Sequence, residues 1–220
     1  MQLVLSDLLT PAAAESLRDS LNAEAESFTS GKATAGWQAR AVKNNDQSDG
    51  PSAREAMRIV SEALLAHPIF KSAARPKAFV KLLVSRYRPG MSYGTHVDDA
   101  LMGGIRNDLS FTVFLSPPDS YDGGELVVEG HGGDEAIKLP AGSAFLYPTT
   151  ALHNVAEVTR GERLVVVGWV RSFVRDAAKR EILFDLDQTV AALNASGAAR
   201  DVMNVVSKSR NNLIRMWAED

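Results

Sequence analysis

Residues 107–129, NDLSFTVFLSPPDSYDGGELVVE, contain two short candidate strands with a glycine-containing turn between them. The strands are 107–116 and 125–129, and the turn is Asp122-Gly123-Gly124. The same pattern continues on both sides of this stretch, with short apolar runs separated by Pro and Gly. The further candidate strands are 78–87, 134–138, 143–147 and 162–173, and the further turns are Pro89-Gly90, Gly132-Gly133 and Pro140-Ala141-Gly142. Many short strands of this kind predict an antiparallel sandwich or barrel.

We therefore predict an α+β protein whose core is a double-stranded β-helix, the jelly-roll arrangement. The predicted organisation is an N-terminal helical region at 1–77 that packs on the core, a β domain at 78–174 and a C-terminal helical extension at 175–220.

Local patterns predict where the N-terminal helices begin and end. Thr10-Pro11 predicts the start of one helix, because Pro suits the first helical position. The capping-box pattern Ser52-Ala53-Arg54-Glu55 predicts the start of a second, which runs through about Ala66 and ends at His67-Pro68. Between these helices, the polar stretch 43–50 is predicted to be a loop.

Composition is typical of a globular protein with one main core and excludes several classes of function. The 220 residues are 45% hydrophobic and 23% charged. The net charge of −3 gives no basic surface for nucleic acid. With no cysteine in the chain, any metal must be held by nitrogen and oxygen ligands. The N-terminus has no signal-peptide pattern, and the longest apolar run, LVVVGWV at 164–170, is too short to span a membrane. We therefore expect a cytoplasmic protein without a membrane partner.

Two histidines and an aspartate are the strongest candidates for a functional site. His96 and Asp98 are two residues apart in an extended segment, so their side chains are expected on one face, with Val97 turned away. His153 follows 55 positions after Asp98 (153 − 98 = 55). Two histidines and one carboxylate match the facial triad of non-haem Fe(II) oxygenases, which leaves open positions on the metal. A lone His-x-Asp motif is weak evidence for a metal site. The order in which the motif, the strands and the turns follow one another in the chain makes that evidence stronger.

Arg163 extends this pattern, because it lies ten residues after His153 (163 − 153 = 10) at the start of the last long strand. Strand alternation places it on the same sheet face as Val165 and Val167. If that face is the barrel interior, the guanidinium is costly to bury unless it pairs with a carboxylate. These residues together predict an iron- and 2-oxoglutarate-dependent oxygenase in which Arg163 holds the far carboxylate of the co-substrate.

The sequence resembles the prolyl 4-hydroxylase branch of the Fe(II)/2-oxoglutarate-dependent dioxygenases, and in particular the bacterial PKHD-type hydroxylases. The resemblance covers nearly the whole chain and lies in residues 87–98, 108–112, 123–126, 148–155, 161–163 and 174–186. It implies that 78–174 is the dioxygenase domain, with Fe(2+) and 2-oxoglutarate as cofactor and co-substrate and L-ascorbate as a helper. The reaction implied is hydroxylation with O2, giving succinate and CO2 as co-products, and the family suggests a link to iron uptake.

The resemblance also implies roles for individual residues. His96, Asp98 and His153 become the catalytic iron ligands, and Arg163 binds the C5 carboxylate of 2-oxoglutarate. Tyr87, with Tyr93 as second choice, becomes a co-substrate contact. A second tyrosine of the family, on the strand after His96-Val97-Asp98, is replaced near Thr112 or Phe114.

Substrate and partners stay open at this level. A peptidyl proline, an amino acid or an iron-chelating metabolite would each fit. The loop 100–107, with its paired glycines, is either a lid in which Arg106 contacts substrate or a flexible connection. The apolar stripe on 202–217 either packs on the barrel, which we favour, or joins two copies in a homodimer; its members are Val202, Met203, Val206, Leu213, Ile214 and Trp217. We expect neither His67, beside a helix end where its charged form is favoured, nor His131, in an exposed turn, to bind iron.

Two other classes of protein remain as alternatives. The first is a non-catalytic iron-binding β-barrel module acting in iron sensing or handling, although Arg163 argues against it. The second is a zinc or manganese enzyme that uses water as nucleophile and needs a general base. Asp99 is the adjacent carboxylate, and strand alternation predicts that it points away from the His96 and Asp98 face.

Overall fold

The computed structural model describes residues 1–34, 36–130 and 132–219. Its helices are α1 (Pro11–Ala23), α2 (Trp37–Val42), α3 (Pro51–Ala66), α4 (Pro68–Ala74), α5 (Ala177–Ala195) and α6 (Arg200–Trp217), with short 3-10 turns at Ala25–Ser27 and Gly31–Thr34. Its strands are β1 (Leu3–Leu5), β2 (Thr29–Ser30), β3 (Lys43–Asn44), β4 (Asp46–Ser48), β5 (Pro76–Tyr87), β6 (Ser92–His96), β7 (Leu101–Met102), β8 (Ile105–Arg106), β9 (Leu109–Phe114), β10 (Asp122–Gly123), β11 (Leu126–Val128), β12 (Glu135–Ile137), β13 (Ala144–Pro148), β14 (His153–Val155), β15 (Val158–Arg160) and β16 (Arg163–Ser172).

Two antiparallel sheets form the β core. The larger sheet has the order β1-β13-β9-β16-β5-β4-β2, and the smaller has the order β12-β11-β14-β6-β3. The two ten- to twelve-residue strands, β16 and β5, pair along almost their whole length in the middle of the larger sheet. A long central pair of this kind gives the molecule a rigid wall on which side chains can be positioned.

Strand alternation divides the side chains of the larger sheet between two apolar clusters. The outward cluster, which includes Val84, Phe111 and Val166, packs against the N-terminal helices. The inward cluster lies between the sheets and includes Phe114 and Val165. Gly168 lies where a side chain would collide with the outward cluster, because a Cβ there would be 2.4 Å from the ring of Phe111.

The segment 43–50 is not the predicted loop. It forms β3 at the edge of the smaller sheet and β4 beside β5 in the larger sheet, so it crosses from one sheet to the other and closes one side of the core. Its polar side chains at 43, 45 and 47 are buried and line a cavity between the sheets. The loop prediction was wrong because buried polar side chains carry no apolar signal in the sequence.

The starts of the first and third helices show one prediction confirmed and one wrong. Thr10 caps α1 as predicted, since Ala13 N donates to Thr10 Oγ1 at 3.2 Å. The capping box at Ser52 is wrong, because α3 starts at Pro51 with Gly50 as its N-cap. Glu24, at the end of α1, supplies the missing acceptor, and Ser52 N donates to its Oε2 at 3.0 Å.

His67 ends α3 as predicted, but it also begins the next helix. It is the N-cap of α4, where Phe70 N donates to its Nδ1 at 3.4 Å. The ring nitrogen of His67 thus takes the position that a Ser, Thr or Asp oxygen usually takes at a helix N-terminus.

The C-terminal helices are joined to the core by charged groups. Arg75, at the end of α4, donates to Asp187 of α5 at 2.7 Å, and Arg210 of α6 pairs with the same carboxylate. The predicted apolar stripe on α6 lies half-buried except for Val202, which is exposed, and α6 packs against α5. Of the helices that the structure describes, none has the length and apolar character that crossing a membrane requires.

Candidate metal centre and cavity

His96, Asp98 and His153 meet at one point between the two sheets. One potential ligand atom from each lies within 4.8 Å of the others. The two histidines are register partners on β6 and β14, and their ring centroids are 4.3 Å apart. His153 Nε2 lies 3.8 Å from Asp98 Oδ1. Two imidazoles and one carboxylate at this separation suit a divalent transition metal that keeps positions open.

Backbone carbonyls orient both imidazole rings. His96 Nδ1 lies 2.9 Å from Gly94 O, and His153 Nδ1 lies 3.0 Å from Ala151 O. Because a carbonyl can only accept, each Nδ1 carries the proton, and each Nε2 is left with its lone pair for a metal. Burial and the neighbouring His153 lower the pKa of His96 to about 4, so this ring is neutral at pH 7. A neutral ring is the form that binds metal.

Asp98 is held by a hydroxyl and not by strand alternation. β6 ends at His96, and Asp98 lies beyond it, where Ser110 Oγ donates to Asp98 Oδ2 at 2.5 Å. Val97 and Asp99 both line the cavity, so the predictions that they turn away from it were wrong. The physical reason is that the chain has left the sheet, so strand pairing no longer fixes the faces, and Asn107 Nδ2 donates to Asp99 O at 2.7 Å.

The cavity beside the triad has a volume of about 340 Å³. Alternate residues of β5 and β16 form one wall, in register pairs Tyr87 with Arg163, Leu83 with Val167, and Lys81 with Trp169. Arg163 and Lys81 are therefore six residue steps apart along the paired strands. At about 3.3 Å per residue, this separates the two ends of the wall by about 20 Å.

Arg163 lies at the inner end of the cavity and is 2% exposed. Its Cζ is 5.1 Å from the centroid of the Tyr87 ring and 5.4 Å from that of Phe114. Its Nε has no hydrogen-bond partner, and no carboxylate in the described part of the chain lies within ion-pair distance of its guanidinium. A buried cation without a counter-ion is costly, so this end of the cavity is suited to an anion.

The two candidate tyrosines occupy different places. Tyr87 is buried beside Arg163, and burial raises the pKa of its phenol, while Asn45 hydrogen-bonds to it. Tyr93 instead stacks on His96, with ring centroids 3.7 Å apart and an angle of 17° between the planes. Tyr87 is thus placed beside the anion-binding end, and Tyr93 supports a ring of the triad.

A third tyrosine, Tyr147, was missed by the sequence reasoning. It lies on β13, is buried, hydrogen-bonds to Thr112 and meets the His153 ring edge-on at 5.1 Å. Thr112 is one of the two positions at which the family tyrosine was expected to be replaced, so a phenol reaches it from another strand. The alternation of Phe145 and Tyr147 along β13 is the signal that could have found it.

The segment 100–107 is a short hairpin of β7 and β8. Gly103 and Gly104 have φ of 57° and 79°, as a two-residue turn of this kind requires. Leu101, Met102 and Gly103 border the cavity. Whether the hairpin acts as a lid stays a prediction.

Arg106 is not placed to contact substrate, which contradicts the prediction. Its side chain donates to Asp108 at 2.9 Å and to Glu219 at 2.6 Å, and it does not line the cavity. The pairing with Glu219 joins the hairpin to the end of the chain, 113 residues away, which no local pattern reveals. His131 lies outside the described residues.

Comparison with known proteins adds family membership to this geometry. A model of the 2OG-Fe(II) oxygenase superfamily matches residues 82–171, and a model of the PKHD-type hydroxylase C-terminal domain matches residues 177–219. A PKHD-type hydroxylase of Maricaulis maris is 58% identical over 88% of this chain and 89% of its own length. The chain belongs to the PKHD-type hydroxylase family. A second member, from Picosynechococcus, is 49% identical over 98% of both chains.

A solved structure supports the same fold. A prolyl-4-hydroxylase from Pseudomonas putida superposes with a TM-score of 0.56 at 19% identity, covering 78% of this chain and 92% of its own. The prediction of an α+β protein with a jelly-roll core and C-terminal helices is confirmed. This PKHD-type hydroxylase is an oxidoreductase of the 2OG-Fe(II) oxygenase superfamily, and its histidine–aspartate–histidine cluster fits Fe(II).

Proposed function

We propose that this PKHD-type hydroxylase holds Fe(II) with His96, Asp98 and His153, and holds 2-oxoglutarate with Arg163 at the inner end of the cavity. The observation that carries the proposal is the buried guanidinium of Arg163, which has no counter-ion in the described part of the chain and opens into the cavity that the triad borders. Fe(II) with 2-oxoglutarate supplies the oxidising power for hydroxylation by O2, with succinate and CO2 as co-products.

The protein's own residues bind and orient. Arg163 offers a planar fork that suits a carboxylate, and the flanking rings of Tyr87 and Phe114 restrict where that fork points. The phenol of Tyr87 stays protonated because burial raises its pKa, so it can donate a hydrogen bond to the same carboxylate. Tyr93 acts on the metal ligand instead, since it stacks on His96.

Three hydrogen bonds keep the triad in position before any metal binds. The carbonyls of Gly94 and Ala151 select the tautomer of each histidine, and the Ser110 hydroxyl holds Asp98. Such outer contacts orient ligands and tune their affinity for metal. L-ascorbate is part of the proposal as a reductant that restores the ferrous state.

The substrate class in this proposal is a small molecule or a peptide. The cavity of about 340 Å³ lies beside an exposed hairpin and can admit one end of such a molecule next to the triad. The non-catalytic iron-binding module is not adopted, because such a module needs no buried cation at Arg163 and the relatives are hydroxylases by name.

Anaerobic titration of Fe(II), with and without 2-oxoglutarate, tests this proposal through the weak visible charge-transfer band of the ternary complex. We expect a band that requires both components in the wild type. His96→Ala abolishes it by removing a ligand, and Arg163→Met abolishes it at 2-oxoglutarate concentrations that saturate the wild type. The matched control is Arg160→Gln, which changes an exposed arginine that pairs with Asp122. Iron binding without a band in the wild type would refute the proposal and favour the metal-binding module.

A homodimer through the C-terminal helices is a separate proposal. Val202 and Val205 of α6 are exposed apolar residues outside the contact with α5. Light scattering on the full chain, with Val205→Glu as the variant, measures the mass directly. A dimeric wild type that becomes monomeric in the variant supports the proposal, and a monomeric wild type refutes it.

A further inference from the structure

Two lysines line the cavity, and one of them, Lys81, lies at the end away from Arg163. Lys81 is on β5 opposite Trp169, six residues from Tyr87, and Lys43 is on the edge strand β3. Neither residue has a role in the proposed binding of iron or 2-oxoglutarate. Their position therefore calls for a separate explanation.

Lys43 is an unusual lysine because it is only 5% exposed. Its Nζ donates to Thr34 Oγ1 at 3.1 Å and lies 5.2 Å from the centroid of the Tyr93 ring. Burial and the nearby charge of Lys81 lower the pKa of Lys43 to about 8, which leaves it mostly protonated at neutral pH. No ion pair within 4.0 Å joins either lysine to a carboxylate among residues 1–34, 36–130 and 132–219.

Two ammonium groups that face one space, each without a carboxylate at ion-pair distance, raise the free energy of the folded chain. The charge of Asp98 offsets only part of this cost at Lys43, because the pKa of Lys43 stays lowered. The arrangement resembles that of Arg163 at the other end, where a buried cation also lacks a counter-ion. The cavity thus has an unpaired positive group at each end, and the co-substrate needs only one of them.

Lys81 lies at the level of the larger sheet that supports the triad, and Lys43 faces the same cavity. Lys81, Trp169 and Ser110 are at one level of the sheet, and Ser110 donates to the proposed iron ligand Asp98. The exposed hairpin 101–106 leaves the sheet at the same end, because Asp108 N donates to Val170 O at 2.9 Å. A molecule that enters past the hairpin meets the two lysines beside the triad.

We propose that Lys43 and Lys81 form a binding subsite for a carboxylate of the substrate, which makes this enzyme a hydroxylase of a carboxylate-bearing small molecule or peptide. The inference rests on the proposed function of the site. A carboxylate suits the pair better than a doubly charged phosphate, because Asp99 lines the same wall and would repel the second charge. Lysine is a flexible point charge, which suits a substrate that must bind and leave.

The test measures how strongly the site distinguishes an acid from its amide. The wild type is saturated with Fe(II) and 2-oxoglutarate under strictly anaerobic conditions, so that Arg163 is occupied and no turnover occurs. The probes are N-acetylproline, N-acetylleucine and N-acetylphenylalanine, each compared by calorimetry with its own primary amide. We expect at least one acid to bind about tenfold or more tightly than its amide, because a hydrogen bond to a charged group contributes about 1.5–3 kcal/mol.

Lys43→Gln and Lys81→Gln should each reduce this preference to about twofold or less, since Gln keeps a polar end on a side chain one atom shorter and removes the charge. Lys71→Gln, on the exposed side of α4, should leave it at the wild-type value. If Lys43→Gln does not fold, Lys81→Gln decides the outcome.

The charge-transfer band is recorded on every sample. Its absence in the wild type refutes the proposed function, whereas a normal band with no acid preferred over its amide, or a preference that survives in the variants, refutes the lysine subsite alone.

Discussion

The two ends of the cavity carry positive charge in different ways. The inner end has Arg163, which lies in the middle of the larger sheet and is flanked by the rings of Tyr87 and Phe114. The outer end has Lys81, and Lys43, from a two-residue edge strand, faces the same cavity. The rigid end is therefore suited to one invariant dicarboxylate, and the outer end to a substrate that differs between enzymes of one fold.

The chemistry of the two cations agrees with this division. A guanidinium is planar, always charged and matches a carboxylate in two hydrogen bonds at once, so a rigid surrounding adds to its selectivity. An ammonium on a four-carbon stem adapts to several positions of its partner. The comparison teaches that burial alone does not define a site, since Arg163 and Lys43 are both buried. They differ in the strand that carries them, which is central for Arg163 and at a sheet edge for Lys43.

The largest expected effect is at Arg163. Arg163→Met removes one partner of a buried charge pair, a change that costs about 2–5 kcal/mol, so the affinity for 2-oxoglutarate should fall by about a hundredfold or more. Anaerobic calorimetry on the Fe(II)-loaded protein measures it, with Arg160→Gln as the control. If Lys81→Gln lost as much affinity for 2-oxoglutarate, both ends of the cavity would bind the co-substrate, and the proposed difference between them would be wrong.

The next effect concerns stability and pH at Lys43. The pKa of Lys43 is lowered in the folded protein from 10.5 to about 8, so between these pH values the unfolded chain binds more protons. The free energy of unfolding of the metal-free wild type should therefore rise with pH through this window, by about 3 kcal/mol relative to Lys43→Met. Below pH 8 the variant should be the more stable protein.

Urea unfolding at pH 7.5 and at pH 10 measures this difference. Lys71→Met is the control, because Lys71 is exposed and its variant should show the same pH dependence as the wild type. If the free energy of unfolding changed with pH in the same way in the wild type and in Lys43→Met, Lys43 would not be an unpaired buried cation. The proposed similarity between Lys43 and Arg163 would then be wrong.

A smaller effect is expected at Ser110, which lies between the two ends. Ser110→Ala removes the hydroxyl that donates to Asp98, and loss of such a contact costs about tenfold in metal affinity. Competition with a chelator of known Fe(II) affinity measures this, and Ser120→Ala, on the exposed surface, is the control. Unchanged iron affinity would show that Asp98 needs no support from the larger sheet.

The smallest effect is expected at the hairpin that borders the outer end. Glu219→Gln weakens the contact between Glu219 and Arg106, a pair of modest strength in which Glu219 is exposed and Arg106 half-buried. Amide hydrogen exchange in 101–106 should accelerate by less than about fivefold, while β16 stays unchanged. Equal acceleration in β16 would remove the contrast in stiffness on which the comparison depends.

Much of the fold could be predicted because the relevant signals are local. Six strands of the core appear in the sequence as short apolar runs between Pro and Gly, and the structure has each of these six within a few residues of the predicted bounds. The grouping of His96, Asp98 and His153 also followed from residue type and order, and alternation correctly put Arg163 on the inner face.

The errors share one cause, which is pairing between residues far apart in the chain. Asp46 on β4 pairs with Arg86 on β5, 40 residues later, and this pairing turns a polar stretch into a strand. Arg106 was a candidate substrate contact in one of the two interpretations of its loop, and it is bound by Glu219. The capping box at Ser52 failed because Glu24, on another helix, supplies the acceptor. Hydrophobic periodicity in the sequence gives no information about partners that lie far apart in the chain.

The sequence by itself determined the chemistry that this protein can carry: two histidines and an aspartate without a competing thiolate, and an arginine on the last strand. It also determined the jelly roll, since alternation and turn residues act within a few positions. Only the tertiary structure decided that 43–48 closes the core, that Ser110 holds Asp98 and that Lys43 and Lys81 face one cavity. The physical reason is that burial of a polar group depends on which distant strand lies beside it, and that is settled by packing and not by local sequence.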